Sequence, residues 1–195
     1  MTIRILGFAG STRAASFHKK LVRIALKAAE EAGAETSFID LHELQMPLYC
    51  GDLESSDGMP AGVRIFREEL KAADGLLIAS PEYNGAPSAV LKNAIDWATR
   101  PDPEIGEEPS LVAWQGKVAG IMSCSPGNLG GLRGLSQLRI ILSGIGTHVL
   151  PGQVAVPSIH QHMTEDGLLE HADLCAKVEK LGTEVERVSR QLKTS

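Results

Sequence analysis

Cysteine is scarce in this sequence: Cys50, Cys124 and Cys175 are the only three, and they lie far apart. There is no CxxC and no paired set, which excludes a disulfide framework and makes a reducing cytoplasm the expected setting. Basic runs are missing as well. With a net charge of −5, neither nucleic acid nor an anionic membrane is expected as partner. No stretch approaches the ~18 unbroken apolar residues of a membrane span. Met1-Thr2-Ile3-Arg4 opens as a strand, without the cleavable apolar run of a signal peptide. Internal repeats, low-complexity tracts and a linker are also absent, so one domain over residues 1–195 is expected.

The hydrophobic pattern that is present alternates between two periods. Residues 3–8 (IRILGF) form a short, mostly apolar strand. Leu21, Ile24, Ala25, Ala28 and Ala29 then recur at helical spacing, and Gly33 closes that run. Strands are predicted at 35–41, 75–79, 118–123 and 147–156, the last broken by Pro151, and helices at 63–72, 89–98 and 135–142. Residues 75–79 (GLLIA) are continuously apolar, as in a strand buried on both faces. A final helix over about 168–192 carries one apolar stripe through Leu174, Val178, Leu181, Val185, Val188 and Leu192, suited to packing on a sheet. Residues 44–62 (LQMPLYCGDLESSDGMPAG) read as loop, and 99–111 (TRPDPEIGEEPSL), with three prolines and four acids, must be loop. Strands alternating with helices in this way give an α/β fold: a parallel sheet with helices on both faces. Ligands in such folds bind at the C-terminal ends of the strands, where strand order reverses.

The loop after the first strand is GSTRAAS, leading into FHKKLV. A helix start presents free backbone N–H groups and partial positive charge. Ser11, Thr12 and Ser16 add hydroxyls, and Arg13 adds a guanidinium able to grip two oxygens. Two readings stand: a cup for a terminal phosphate, or a capped helix with an exposed arginine. The G-x-x-x-x-G-K-[ST] of nucleotide hydrolases and the G-x-G-x-x-G of dinucleotide folds are both missing. A cup without equipment to transfer phosphate suits a cofactor anchored by its tail.

Two further loops leave the same sheet edge. SPEYNGAPSAVLKNAIDW follows the third strand, with Asn84-Gly85 as a turn signal. It is either an ordinary β–α turn or a ligand loop. SCSPGNLGGLRGLSQLR follows the fourth, and its glycines would let backbone N–H groups approach a flat ligand. A phosphate-tailed, flat heteroaromatic cofactor suits the three loops together, and FMN suits them best.

GSTRAASFHKKLV, PEYNGAPSAVLKNAIDW and SPGNLGGLRGLSQLR, in this order and at about this spacing, resemble the NADPH-dependent FMN reductase family, as do MPLYCGDL and TEDGLL. The resemblance covers nearly the whole chain. It implies a flavodoxin-like three-layer sandwich with a five-stranded parallel sheet in order 2-1-3-4-5. It also implies bound FMN and hydride transfer from NADPH or NADH to the flavin, then by ping-pong kinetics to a quinone, azo dye, metal oxyanion or free flavin. Ser11, Arg13 and Ser16 would hold the phosphate, with Phe17 and His18 beside them. Pro81, Glu82, Tyr83, Asn84 and Gly85 would line the ribityl chain and ring, and Ser125, Gly127 and Gly130 would approach the ring's other edge. His18 stands where the family commonly has asparagine, and if protonated it would add charge to the cup. The proline of NGAPSAVLKN falls one residue earlier than is usual. A homodimer or homotetramer is implied as well.

No general acid or base is evident, and no metal set. His160 and His162 are expected as ordinary loop residues, Cys124 as a buried small residue, and Asp96 in a cap or a pair with a base. Trp114 suits core and subunit contact equally. A flavodoxin-type electron carrier is the rival reading. Such carriers sandwich their ring between aromatics, whereas this chain has two Trp, two Tyr and four Phe, and only Tyr83 lies in a flavin loop. A second rival is a regulator of the same fold without cofactor.

Overall fold

The computed structural model describes residues 2–102 and 104–194. Met1, Pro103 (within the loop expected over 99–111) and Ser195 lie outside the described residues. The elements in chain order are β1 (Ile3–Ala9), α1 (Phe17–Glu31), β2 (Ala34–Ile39), α2 (Gly51–Asp57), α3 (Ala61–Ala72), β3 (Gly75–Ala79), β4 (Glu82–Tyr83), β5 (Ala86–Pro87), α4 (Ala89–Ala98), β6 (Val118–Cys124), α5 (Leu132–Gly144), β7 (His148–Val156), a 3-10 turn (Ile159–Gln161) and α6 (Ala172–Lys193).

Five strands form one parallel sheet in the order β2-β1-β3-β6-β7, and β4 and β5 pair separately as a hairpin. Setting the hairpin aside, this is the expected order 2-1-3-4-5. The direction of winding reverses beside β1, so the loops leaving β1 and β3 part there and open a cleft.

Alternation along the strands sorts side chains to the two faces. Ile3, Ile5, Leu77 and Met122 pack with Leu21, Val22 and Ala25 of α1 and Val178, Leu181 and Val185 of α6. Leu6, Phe8, Leu76, Ile78 and Ile121 pack with Phe66 and Leu70 of α3, Leu91 and Ile95 of α4, and Leu135 and Leu138 of α5. Trp114 is fully buried, edge-on to Phe8 and Phe66, so it belongs to the core.

Helix α2, the β4–β5 hairpin and the 3-10 turn at Ile159–Gln161, where a loop was expected, were not anticipated. Helix α2 lies in the stretch read as loop and buries no residue, so no apolar period marked it. The β4–β5 hairpin replaces the simple β–α turn considered after β3. Asn84 (φ 54°) and Gly85 (φ 82°) both take left-handed conformations, as the two central residues of a type I′ hairpin turn require.

The long loop after α4 is held by ion pairs. Arg67, fully buried, donates to the carbonyls of Ala98 and Arg100 and pairs with Glu108, while Arg64 pairs with Asp102 at 2.8 Å and Glu104 at 2.6 Å. Arg100 pairs with Glu54 at 2.8 Å, and Asp96 pairs with Lys92 one turn away at 2.7 Å. At the foot of the sheet Lys117 is buried and donates to the Ala73 carbonyl at 2.6 Å.

Edge strand β7 departs from regular pairing. Its register with β6 runs Ala119↔Val149 and then Ile121↔Gln153, so Leu150, Pro151 and Gly152 stand opposite Gly120 alone. Arg139 of α5 donates to the Leu150 carbonyl at 2.7 Å and to the Gln153 side chain at 3.0 Å, covering this bulge.

Candidate functional site

The cleft lies at the C-terminal ends of β1, β3 and β6. It is lined by Ser11, Arg13, Ser16, Phe17 and His18 from the β1 loop and α1. Pro81, Glu82 and Tyr83 line it from the hairpin side, and Cys124, Ser125, Pro126 and Ile159 from the far side. Three loops that the sequence singled out thus meet around one space.

Buried serines set the floor. Gly10 donates its N–H to the Ala79 carbonyl at 2.8 Å, which holds the end of β1 against β3. Ser88 donates to the Gly10 carbonyl at 2.6 Å, and Ser123 to the Ser80 carbonyl at 2.6 Å. Small hydroxyl residues suit this place, because diverging strand ends leave carbonyls that the sheet no longer pairs.

Ser16 is the N-cap of α1, accepting the Lys19 N–H at 3.4 Å, and no acidic residue occupies the first turn. Ser11 and Ser16 are buried, whereas Arg13 is exposed and, among the described residues, has no ion-pair or hydrogen-bond partner. The neighbouring cations are committed elsewhere. Lys19 pairs with Asp40, and Lys20 donates to the carbonyls of Thr164 and Glu165 at 3.0 and 2.8 Å. A free guanidinium beside capped amide groups is the donor set an anion needs. Thr12 instead lines a separate hollow with Leu41, Gln45 and Asn93.

His18 sits in the first turn of α1. The β3–β6 pairing ends at Ala79↔Met122, so the amide of Cys124 has no β3 residue opposite it. His18 Nε2 accepts that N–H at 3.3 Å, and the Cys124 sulfur lies 3.5 Å from the same nitrogen. Burial pushes the imidazole down to about 4. The backbone hydrogen bond with Cys124 acts in the opposite direction and is outweighed by burial. A lowered imidazole works against the added positive charge that protonation of His18 would bring. Burial also pushes the Cys124 thiol up to about 12, so this cysteine is the buried small residue anticipated.

Glu82 lines the cleft with its backbone side, but its carboxylate turns away. One oxygen accepts the N–H groups of Arg133 and Gly134, each at 3.0 Å, and the other accepts from Arg133 Nε at 2.7 Å. The carboxylate thus caps the start of α5 from another loop. Burial would raise this acid, yet the Gly134 amide and the Arg133 guanidinium outweigh it and hold it below its ordinary range. Tyr83 stands at the rim, 60% exposed. Asn84 and Gly85 form the hairpin tip and are not among the cleft-lining residues.

The glycines after β6 serve packing more than a ligand. A Cβ on Gly130 would lie 2.7–2.8 Å from the backbone of Ala155 and Val156, and one on Gly131 would lie 1.9 Å from Ser123 Oγ. Gly130 is buried against β7 and does not line the cleft. Gly127 is exposed and open, and Ser125 does line the space. Sequence alone offered no sign of Glu82 as a cap, since its partners lie 51 and 52 residues away. His162 packs edge-on against His171 at 5.0 Å. Among the described residues no group of three or more His, Cys, Asp or Glu is placed to hold a metal, and no helix is long and apolar enough to cross a membrane.

The chain matches known proteins along most of its length. The model of the NADPH-dependent FMN reductase family matches residues 3–161. An NADPH:quinone oxidoreductase of Arabidopsis thaliana is 41% identical over 71% of this chain and 66% of its own length, just under two thirds. An NAD(P)H-dependent FMN reductase of Pseudomonas aeruginosa is 38% identical over 76% of this chain and 74% of its own. Among solved structures, the flavoenzyme NAD(P)H:(acceptor) oxidoreductase FerB of Paracoccus denitrificans superposes with a TM-score of 0.80 at 26% identity, covering 97% of this chain and 98% of that one.

Proposed function

The chain belongs to the NADPH-dependent FMN reductase family, and from that membership we propose an FMN-dependent NAD(P)H oxidoreductase whose acceptor is a quinone. The observation that carries the reading within this chain is Arg13: a cation without a partner among the described residues, beside the start of a helix with no acid in its first turn. These residues fit a phosphate-tailed cofactor. Bound FMN supplies the hydride chemistry, which no side chain of the cleft provides.

The chain's own residues bind, orient and shield. Arg13, Ser11, Ser16 and the first amides of α1 hold the phosphate. Pro81, Tyr83 and the backbone of Glu82 form one wall, and Ser125 and the Gly127 turn the other. Glu82 keeps the hairpin wall fixed to α5, so the two walls hold their spacing. Among the described residues, Phe17, His18 and Tyr83 alone bring aromatic rings to the cleft lining, too few to enclose a flavin on both sides, which leaves a face open to nicotinamide and acceptor in turn. An electron carrier enclosing its ring between aromatics is less well supported by that lining.

A flat, uncharged quinone suits a rim bearing Tyr83 and Pro126 without a free acid. The name of the Arabidopsis thaliana relative supports the same class. Two copies or four are the proposed assembly, with exposed Leu48, Ile65 and Ile105 as apolar surface available to a second copy. Three unpaired cysteines suit a reducing cytoplasm.

The test is the visible absorption spectrum of the purified protein, before and after anaerobic addition of NADPH. A yellow protein that bleaches is the expected result. A yellow protein that does not bleach points to an electron carrier. A colourless protein that cannot be reconstituted with FMN overturns the assignment.

A further inference from the structure

We propose that the groove between edge strand β7 and helix α6 is a second binding site, for a small amphiphile with a linear apolar body and one carboxylate end, of the medium-chain fatty acid class. The groove shares no lining residue with the cleft, and the proposal does not rest on the FMN reading.

Two departures from regular packing open the groove. Gly120 of β6 lets α6 approach the sheet closely: a Cβ there would lie 2.8 Å from Val185 and 3.0 Å from Leu181. Opposite that same glycine, Leu150, Pro151 and Gly152 of β7 buckle out of register. The space between the helix and the buckled edge holds about 540 Å³, against about 190 Å³ in the cleft. That is within the roughly 300–1,000 Å³ of small-molecule sites.

The lining is divided by chemistry. Leu150, Val154, Leu181 and Val188 supply apolar surface, and Val154 and Leu181 are buried. Lys177, Lys180, Leu181, Glu184 and Val188 recur at helical spacing, so they share one face of α6. From Lys177 to Val188 that face runs roughly 16 Å. A groove of that length suits a linear body better than a round one.

The charges give the ligand its sign and direction. Lys177 and Lys180 are exposed at one end, and neither ammonium has an ion-pair or hydrogen-bond partner among the described residues. At the other end Arg187 pairs with Glu184 at 2.7 Å and donates to Gln191 at 3.2 Å. Glu179 accepts the Cys175 thiol at 3.4 Å, Glu186 accepts from Arg190 at 2.7 Å, and β7 carries no acid. The uncompensated charge of the lining is therefore two lysines, on a chain whose net charge is −5. A carboxylate belongs at Lys177 and Lys180, with the apolar body along Leu181 and Val188 toward the bulge. A second copy of this chain is the rival occupant.

The experiment titrates the intact nitrogen-15-labelled protein, with FMN present, with sodium decanoate below its micelle concentration at pH 7.5. Amide shifts that saturate together at residues 150–154 and 177–188 are expected, while shifts near Ser11 and Arg13 report any binding in the cleft separately. Hexanoate is expected to bind about tenfold more weakly than decanoate, since it buries fewer methylenes. Decanol is expected to bind about fivefold more weakly for want of the charge. Lys177→Gln with Lys180→Gln is expected to lose about fivefold for decanoate, and Lys177→Arg with Lys180→Arg to keep the parent's affinity. All four substitutions are at exposed positions, so the fold is retained. No saturable shift at the groove, equal binding of decanoate and decanol, or an unchanged affinity in the glutamine pair overturns the proposal. Shifts at those residues that follow protein concentration and not decanoate assign the groove to a second copy and overturn it as well.

Discussion

The carboxylate of Glu82, on the hairpin that follows β3, accepts the backbone N–H of Gly134 in the first turn of α5 at 3.0 Å. A side chain from one wall of the cleft is thereby the cap of a helix behind the other. The Glu82 side chain is only 7% exposed, so these hydrogen bonds are made largely away from water. Glu82→Gln is expected to destabilise the fold by about 1–2 kcal/mol in urea denaturation, since charge-assisted hydrogen bonds become neutral ones. The acid is held below its unfolded value, so its contribution is complete above roughly pH 4.3 and is lost as pH falls through the lower folded value. Parent and variant should therefore converge in stability as pH drops below 4. A constant difference down to pH 2.5 would count against the cap.

Arg13→Ala should weaken FMN binding by roughly 1.5–3 kcal/mol while leaving the melting temperature of the FMN-free protein unchanged. Arg13 holds no partner among the described residues, so the loss belongs to the ligand alone. Calorimetry with FMN, beside thermal melts of both proteins without it, separates the two effects. An unchanged affinity rejects the phosphate cup.

The three thiols should differ in reactivity. Cys50 is exposed at the start of α2, where the amides of Leu53 and Asp52 favour its thiolate. Cys175 is half-buried and raised by burial and by Glu179. Cys124 is closed off and pushed up to about 12. Ellman's reagent at pH 7.5 is expected to label Cys50 first, about tenfold faster than Cys175, and Cys124 only after unfolding. Cys50→Ser should abolish the fast phase. A fast phase surviving in that variant contradicts the assignment.

Lys117 gives the fold a pH dependence on the alkaline side. Burial lowers its ammonium to about 8, against 10.5 for an exposed lysine. Between those values the unfolded chain binds more protons than the folded one, so stability rises with pH across the window. After allowance for solvent screening, the rise attributable to this residue is about 1–2 kcal/mol. Urea midpoints of the parent and of Lys117→Met at pH 7.5, 9 and 10.5 test it, with the parent gaining relative to the variant. Parallel curves reject it.

Much of the architecture was legible because burial writes itself into periodicity. β3 and α4 fall on the predicted bounds, since both are apolar segments ended by turn or capping residues. The place of the cleft was legible too, as Ser11, Arg13 and Ser16 are close in sequence and line it together. Helix α2 was not, because it has no fully buried residue and Leu53 alone packs on the core, too little to leave a stripe. The hairpin was not, because two-residue strands are too short to alternate, although Asn84-Gly85 marked its turn. The hydrogen bond of His18 to Cys124 spans 106 residues, and the role of Gly130 depends on the backbone of β7. Such long-range pairings appear only once the chain is folded.

The bulge in β7 has a bearing on how copies of this protein meet. A parallel sheet ends in two strands with unpaired backbone, and β7 is the longest strand in the molecule. A straight nine-residue border of this kind is a template on which another chain can extend the sheet. Here Pro151 supplies no N–H, the chain buckles at Leu150–Gly152, and Arg139 takes up carbonyls there. The border is interrupted near its middle. Molecules at high concentration are thus denied strand-to-strand zippering along this side, and the safeguard against amyloid-like stacking is built from one proline, one glycine and one arginine.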